Sequence, residues 1–128
     1  RQRRRPLSVV VLKVSETAPV VEARKDGWLD RALPQIGAMV SRLIRTEDTA
    51  ARLSADVFAL ALPATHAEPA RLAAERIAAV IGCTAFDAGP DRSPFVAEFD
   101  VGAAEMRPDE SAAALLERAS ADLFEKTR

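Results

Sequence analysis

Arginine outnumbers lysine fifteen to three in this 128-residue chain, and a guanidinium forks onto phosphate and stacks on planar bases where an ammonium does not. Arg45 and Asp48 stand three residues apart, a spacing that by itself gives a solvated ion pair. Asp56 closes a turn-like Ser54-Ala55-Asp56 stretch, and Lys13 lies near the end of an apolar run. His66 has no Cys, His or acidic cluster at ligand spacing, so it reads as exposed before a helix rather than as a metal ligand. Trp28 is either a stacking platform or a core or interface anchor. Cys83, among apolar neighbours, reads as buried rather than reactive.

Holding such side chains in place takes a folded core. A length of 128 residues fits one domain, and 48% apolar with 29% charged residues is the balance of a globular chain, not a disordered one. The longest apolar run is far short of a membrane span, and none is flanked like a signal peptide. A single cysteine permits no internal disulfide, which points to a reducing compartment and a cytoplasmic location. The net charge of −1 hides an asymmetry, because four of the first five residues are arginine and the remaining 123 carry −5. An acidic body lacks the electrostatic footprint of general nucleic-acid binding. The abrupt start on Arg1-Gln2-Arg3-Arg4-Arg5 reads as the end of a longer helix, and so as a fragment of a larger multidomain protein.

The periodicities order the elements β, α, β, β, α, β, α. Leu7 to Val14 is Val-rich and of strand length, as expected of a buried central strand. The stretch around Pro19 and Gly27 has no clear pattern. From Trp28, the positions Leu29, Leu33, Ile36, Val40, Leu43 and Ile44 make one helical stripe, with Pro34 in or near the first turns. Two strands, roughly 49–53 and 57–62, meet at Ser54-Ala55-Asp56, a turn without the glycine that two-residue hairpins favour. Thr65 stands where it could cap a helix containing Arg71 to Ile81, with Leu72, Ile77, Val80 and Ile81 inward and Gly82 at its end. Cys83 to Phe86 offers an extra short strand, Asp87 to Pro94 a loop, and Phe95 to Met106 a further strand. Pro108-Asp109-Glu110-Ser111 opens a last helix carrying Leu115, Leu116, Leu123 and Phe124. Helices alternating with strands that include a hairpin imply an α/β domain with a mixed sheet.

The segment from Arg45 to Pro63 resembles the core of the GGDEF domain, the bacterial diguanylate cyclase module. That family reads Arg-x-x-Asp, five residues, then Gly-Gly-Asp/Glu-Glu-Phe and an apolar strand ending in Pro. Here the spacer is kept, and Asp56 and Phe58 match. Ala74-Glu75-Arg76-Ile77, Val101-Gly102 and Ala121-Asp122-Leu123-Phe124 match later family segments, and Arg5-Pro6-Leu7 is how the family enters its first strand. The resemblance covers nearly the whole chain, without the family's opening helix. It implies a central five-stranded mixed sheet flanked by helices, similar to the palm of nucleotidyl cyclases.

The resemblance also implies two sites, and the chain departs from one of them. Active members hold two magnesium ions on an Asp ending the first strand and on acidic residues of the hairpin, because hard cations want oxygen ligands. Lys13 stands at the first position and Val57 follows Asp56 in the signature, while Ser54 and Ala55 replace the paired glycines that admit nucleotide phosphates. The guanine-reading Asn falls on Val21, and a later Asp is kept as Asp30. This pattern implies no catalytic residues, no bound metal and no cofactor. A salt bridge from Lys13 to Asp56 is one substitute for the lost metal.

The family's inhibitory site for cyclic di-GMP is retained by the same matching, on Arg45, Asp48 and Arg76. A guanidinium can fork onto the phosphate or lie on the guanine, and a carboxylate can accept paired N–H bonds from the Watson–Crick edge. The expected function is therefore a cyclic di-GMP receptor that signals to a downstream protein, with a ligand-bridged homodimer as one assembly. Two alternatives stand beside it: a pseudo-enzyme used for dimerisation or for regulating an attached domain, and residual cyclase activity through Asp56 and Asp30.

Overall fold

In the computed structural model the described residues are 5–126, with side chains described to Leu123. The Arg1–Arg4 part of the basic run and the side chain of Phe124 lie outside them. Eight elements follow in order: β1 (Leu7–Val14), α1 (Ala18–Lys25), α2 (Trp28–Leu43), β2 (Thr49–Ser54), β3 (Val57–Pro63), α3 (Ala67–Ile81), β4 (Phe99–Glu105) and α4 (Ala112–Lys126).

The strands form one sheet in the order β2-β3-β1-β4. β1 is central because both of its faces are apolar. Val10, Leu12 and Val14 join the main core beneath α1, α2 and α3, while Val11 and the partly buried Val9 join a smaller cluster with Leu115, Ala119 and Leu123 of α4. Every pairing is antiparallel, β1 with β3, β1 with β4 and β2 with β3, so the sheet is neither five-stranded nor mixed.

The missing fifth strand is the Cys83–Phe86 segment, which contributes a single bridge, Phe86 to Phe95. Two backbone hydrogen bonds, of 2.7 and 2.9 Å, join those residues. Between them the chain turns through Gly89 (φ 111°) and Asp91 (φ 61°), and Pro90 and Pro94 have no N–H to extend a ladder. The ladder of β4 starts at Phe99 rather than Phe95, because Phe99 pairs with Val14, the last residue of β1.

Several apolar residues assigned inward stand at the surface. Leu72 and Val80 of α3 are 49% and 45% exposed, and Leu43 at the end of α2 is 40% exposed. The buried face of α3 is instead Ala70, Ala74, Ile77 and Ile81, spaced four, three and four apart, and its first half is alanine. Close approach of α3 to the sheet selects small residues there. Cys83 is also exposed, because it lies in the turn just past the end of α3. Thr65 does not cap α3; the first residue outside the helix is His66, and no side chain bonds the helix start from that position. Trp28 packs against the core, with Arg31 stacked 4.5 Å above its ring.

α4 is anchored at its start by charge. Arg118 donates to Glu110 at 2.7 and 2.8 Å and to the Glu105 carbonyl oxygen at 2.5 Å. The Arg118 guanidinium first, then the Arg107 backbone N–H, lowers the Glu110 carboxyl to about 2. A carboxyl depressed by folding adds stability above its unfolded value near 4.5 and loses that contribution as pH falls from there toward 2. Thermal denaturation between pH 6 and pH 3 should therefore show a drop in midpoint that is smaller in Arg118→Met.

Candidate functional site

Two regions at opposite ends of the hairpin carry the residues singled out in the sequence. The first is a groove of about 330 Å³ between the end of α2, the Pro63–His66 turn and α3. Its apolar walls include Leu43, Ile77 and Val80, which explains why Leu43 and Val80 are apolar yet not core. Arg45, Asp48 and Arg76 all line it, so residues 31 apart in sequence meet in one place.

Asp48 is nearly enclosed, its side chain 2% exposed. Its Oδ2 accepts from the Arg45 backbone N–H at 3.0 Å and from Arg45 Nε at 3.1 Å, and its Oδ1 accepts from Arg45 Nη2 at 3.0 Å. The Arg-x-x-Asp spacing thus closes a tight turn, with a further backbone bond from the Asp48 N–H to the Arg45 carbonyl at 3.0 Å. Asp48 is the main reason that the Arg45 guanidinium is held still more basic than usual. Arg76, exposed on α3, makes no hydrogen bond or ion pair among the described residues. The groove therefore offers an anion one guanidinium held by Asp48 and one with no protein partner among the described residues.

The second region lies at the other end of β1. Lys13 Nζ is 3.7 Å from Asp56 Oδ2 and 3.4 Å from Glu16 Oε2. Arg24 Nη2 completes the cluster at 3.3 Å from Asp56 Oδ2 and 2.6 Å from Glu16 Oε2. Glu16 first, then Asp56, raises the Arg24 pKa against partial burial. Asp56 is the inner member, 16% exposed. Arg52 donates to the Ala55 carbonyl at 2.8 Å and to the Ser54 carbonyl at 3.3 Å, closing the turn from outside. Val57, paired with Lys13 across the ladder, packs toward the α4 cluster. Asp30 is exposed in the first turn of α2 and makes no ion pair with this cluster among the described residues, and Val21 is half-buried on α1.

The donor set does not suit a divalent cation. The Asp56 carboxylate faces two cations, Glu16 is paired with Arg24, and neither Lys13 nor Val57 has an oxygen to offer from its side chain. Among the described residues no group of three or more His, Cys, Asp or Glu could hold a metal ion.

Sequence reasoning missed Glu16, Arg24, Arg52 and Thr65. Glu16 precedes α1 and Arg24 lies in its last turn, a helix whose signals were a Pro at its first positions and Arg24-Lys25 near its end. Thr65 and Arg52 act through contacts that spacing does not encode. His66 is exposed as expected, its Nδ1 3.1 Å from Glu105 Oε1.

The sequence matches the family described as "Diguanylate cyclase, GGDEF domain" over residues 5–128. No curated protein sequence matches the chain at a significant level. The fold is similar to the GGDEF domain of DgcB from Caulobacter crescentus in complex with c-di-GMP, at 21% identity and a TM-score of 0.81, covering 96% of this chain and 72% of that one. It is also similar to the GGDEF domain of FimX from Pseudomonas aeruginosa, at 18% identity and a TM-score of 0.77, covering 95% of this chain and 75% of that one. The active GGEEF domain of a diguanylate cyclase from Vibrio cholerae is a third such structure, at 18% identity and 0.77, covering 97% of this chain and 78% of that one.

Proposed function

This chain belongs to the GGDEF domain family, and from that premise we propose that it is a catalytically inactive member that receives cyclic di-GMP in the groove of Arg45, Asp48 and Arg76. The observation that carries this reading is an asymmetry. Three side chains that match the family's inhibitory site line one groove, while the positions that match its metal site present two cations to a single carboxylate.

Physical chemistry supports each half. The groove lies within the size range of small-molecule sites and joins apolar walls to a few charged groups. Arg45 Nη1 and the faces of its guanidinium are free of protein hydrogen bonds among the described residues, as suits a phosphate or a guanine ring. Asp48 holds that guanidinium from behind and so presents it to the groove. At the degenerate end, Lys13 and Arg24 balance the charge that a metal would otherwise balance, so Asp56 folds without one.

On this reading the domain works in the cytoplasm, stacked ligands in the groove bridge two copies, and a downstream protein recognises the liganded form. An acidic body does not oppose an anionic ligand, since attraction comes from the local pocket. Titration calorimetry with cyclic di-GMP tests the receptor: saturable binding is expected, and a flat titration overturns it. Incubation with GTP and magnesium is expected to yield no cyclic di-GMP above a buffer blank. Measurable product would overturn the assignment of Lys13 as a block to metal binding.

A further inference from the structure

Resting on the receptor reading, we propose that Thr65 is a positioning residue of the groove, whose hydroxyl fixes the Arg45 guanidinium in the orientation that leaves Nη1 and both faces open to ligand. A guanidinium has five N–H donors. Nε and one hydrogen of Nη2 are spent on Asp48, and the second hydrogen of Nη2 goes to Thr65 Oγ1 at 2.9 Å, with the Pro63 carbonyl a longer acceptor at 3.4 Å. The Thr65 hydroxyl has a single proton, which goes to the Pro63 carbonyl oxygen at 2.8 Å. Its lone pairs therefore face Arg45, and the hydroxyl acts there as an acceptor only.

The backbone that carries the hydroxyl is fixed as well. Ala64 adopts a left-handed conformation (φ 54°) that swings Thr65 into the groove, and the Thr65 carbonyl accepts from Ser8 Oγ of β1 at 2.7 Å. Ser8 is fully buried, so this anchor is not shared with water. Capping of α3, the ordinary reason for a threonine here, does not apply: His66 holds the cap position, and the Ala67 N–H at the helix start is taken by Glu105 Oε1 at 3.1 Å. Without the hydroxyl, Nη2 keeps only Asp48 and the longer contact to the Pro63 carbonyl, so the guanidinium is held less firmly and ligand binding must order it.

The variants Thr65→Val and Thr65→Ser separate this role from packing. Valine keeps the shape and the Ser8 anchor, and serine restores the hydroxyl. In calorimetry on the whole chain with cyclic di-GMP, Thr65→Val is expected to bind about tenfold more weakly and Thr65→Ser within about twofold of the original. Both should melt within a few degrees of it. Without ligand, the Arg45 side-chain NH signals in nuclear magnetic resonance should lose their slow-rotation splitting in Thr65→Val. If Thr65→Val binds as tightly as the original chain, or Thr65→Ser fails to restore affinity, the assignment of Thr65 is overturned while the receptor reading stands. If the original chain does not bind, the receptor reading fails and the assignment falls with it.

Discussion

Gly102→Ala is expected to push α4 off the sheet and to cost substantial stability. Gly102 lies in β4 opposite Val11, where the sheet meets the smaller core cluster. A Cβ at this position would stand 2.3 Å from the Ala119 carbonyl oxygen and 2.9 Å from the Leu123 backbone N. Both are helix backbone, so no rotamer change relieves them. The helix would have to retreat by about 1 Å, which loosens the packing of Leu115, Ala119 and Leu123 on Val11. The cost is expected at or above the upper end for overpacking, roughly 3 kcal/mol. For a domain of this size that lowers the thermal midpoint by about 10 °C, readable by circular dichroism. An unchanged midpoint would mean that α4 is not seated on β4 as described. The close approach is reinforced next door, where Asp122 of α4 accepts from the Ala103 N–H at 3.0 Å and pairs with Arg71 of α3 at 2.5 Å.

What the sequence made legible, and what it hid, follows from the range of each interaction. β1, the hairpin and α2 showed plainly because their cores repeat at short, regular intervals. α1 did not, since only Val20 and Ala23 of its eight residues are buried and too few positions repeat. The apparent strand after α3 failed on a different ground: its residues suit a strand, but prolines and left-handed turns deny it a partner. Leu43, Leu72 and Val80 show a limit of apolar patterning, which cannot tell the wall of a groove from the floor of a core. At the groove, the family resemblance gathered Arg45, Asp48 and Arg76 because each sits in a short local motif. Thr65 escaped it, since its role depends on a turn that returns the chain to Arg45 twenty residues later. At the Asp56 end, Lys13 was visible as a cation where the family resemblance implies an Asp, whereas Arg24 as a second cation depended on the placement of an unseen helix.

The strongest expected effect on function is the loss of cyclic di-GMP binding in Arg45→Ala, by about a hundredfold or more in calorimetry, since both the phosphate fork and the stacking plane go with the guanidinium. Arg45→Lys should recover little of it, because an ammonium keeps the charge and loses the plane. Arg45→Ala also touches the fold: the nearly enclosed Asp48 keeps only the backbone N–H of residue 45 from its present partners, so a lower melting point must accompany the weaker binding. Arg76→Ala removes this ambiguity. Arg76 has no partner among the described residues, so its loss should leave the melting point within a degree or two while weakening ligand binding about tenfold. A chain with Arg76→Ala that melts and binds as the original does would place the ligand away from this groove. Weak binding with intact folding would tie the affinity to a side chain that has no structural work to do.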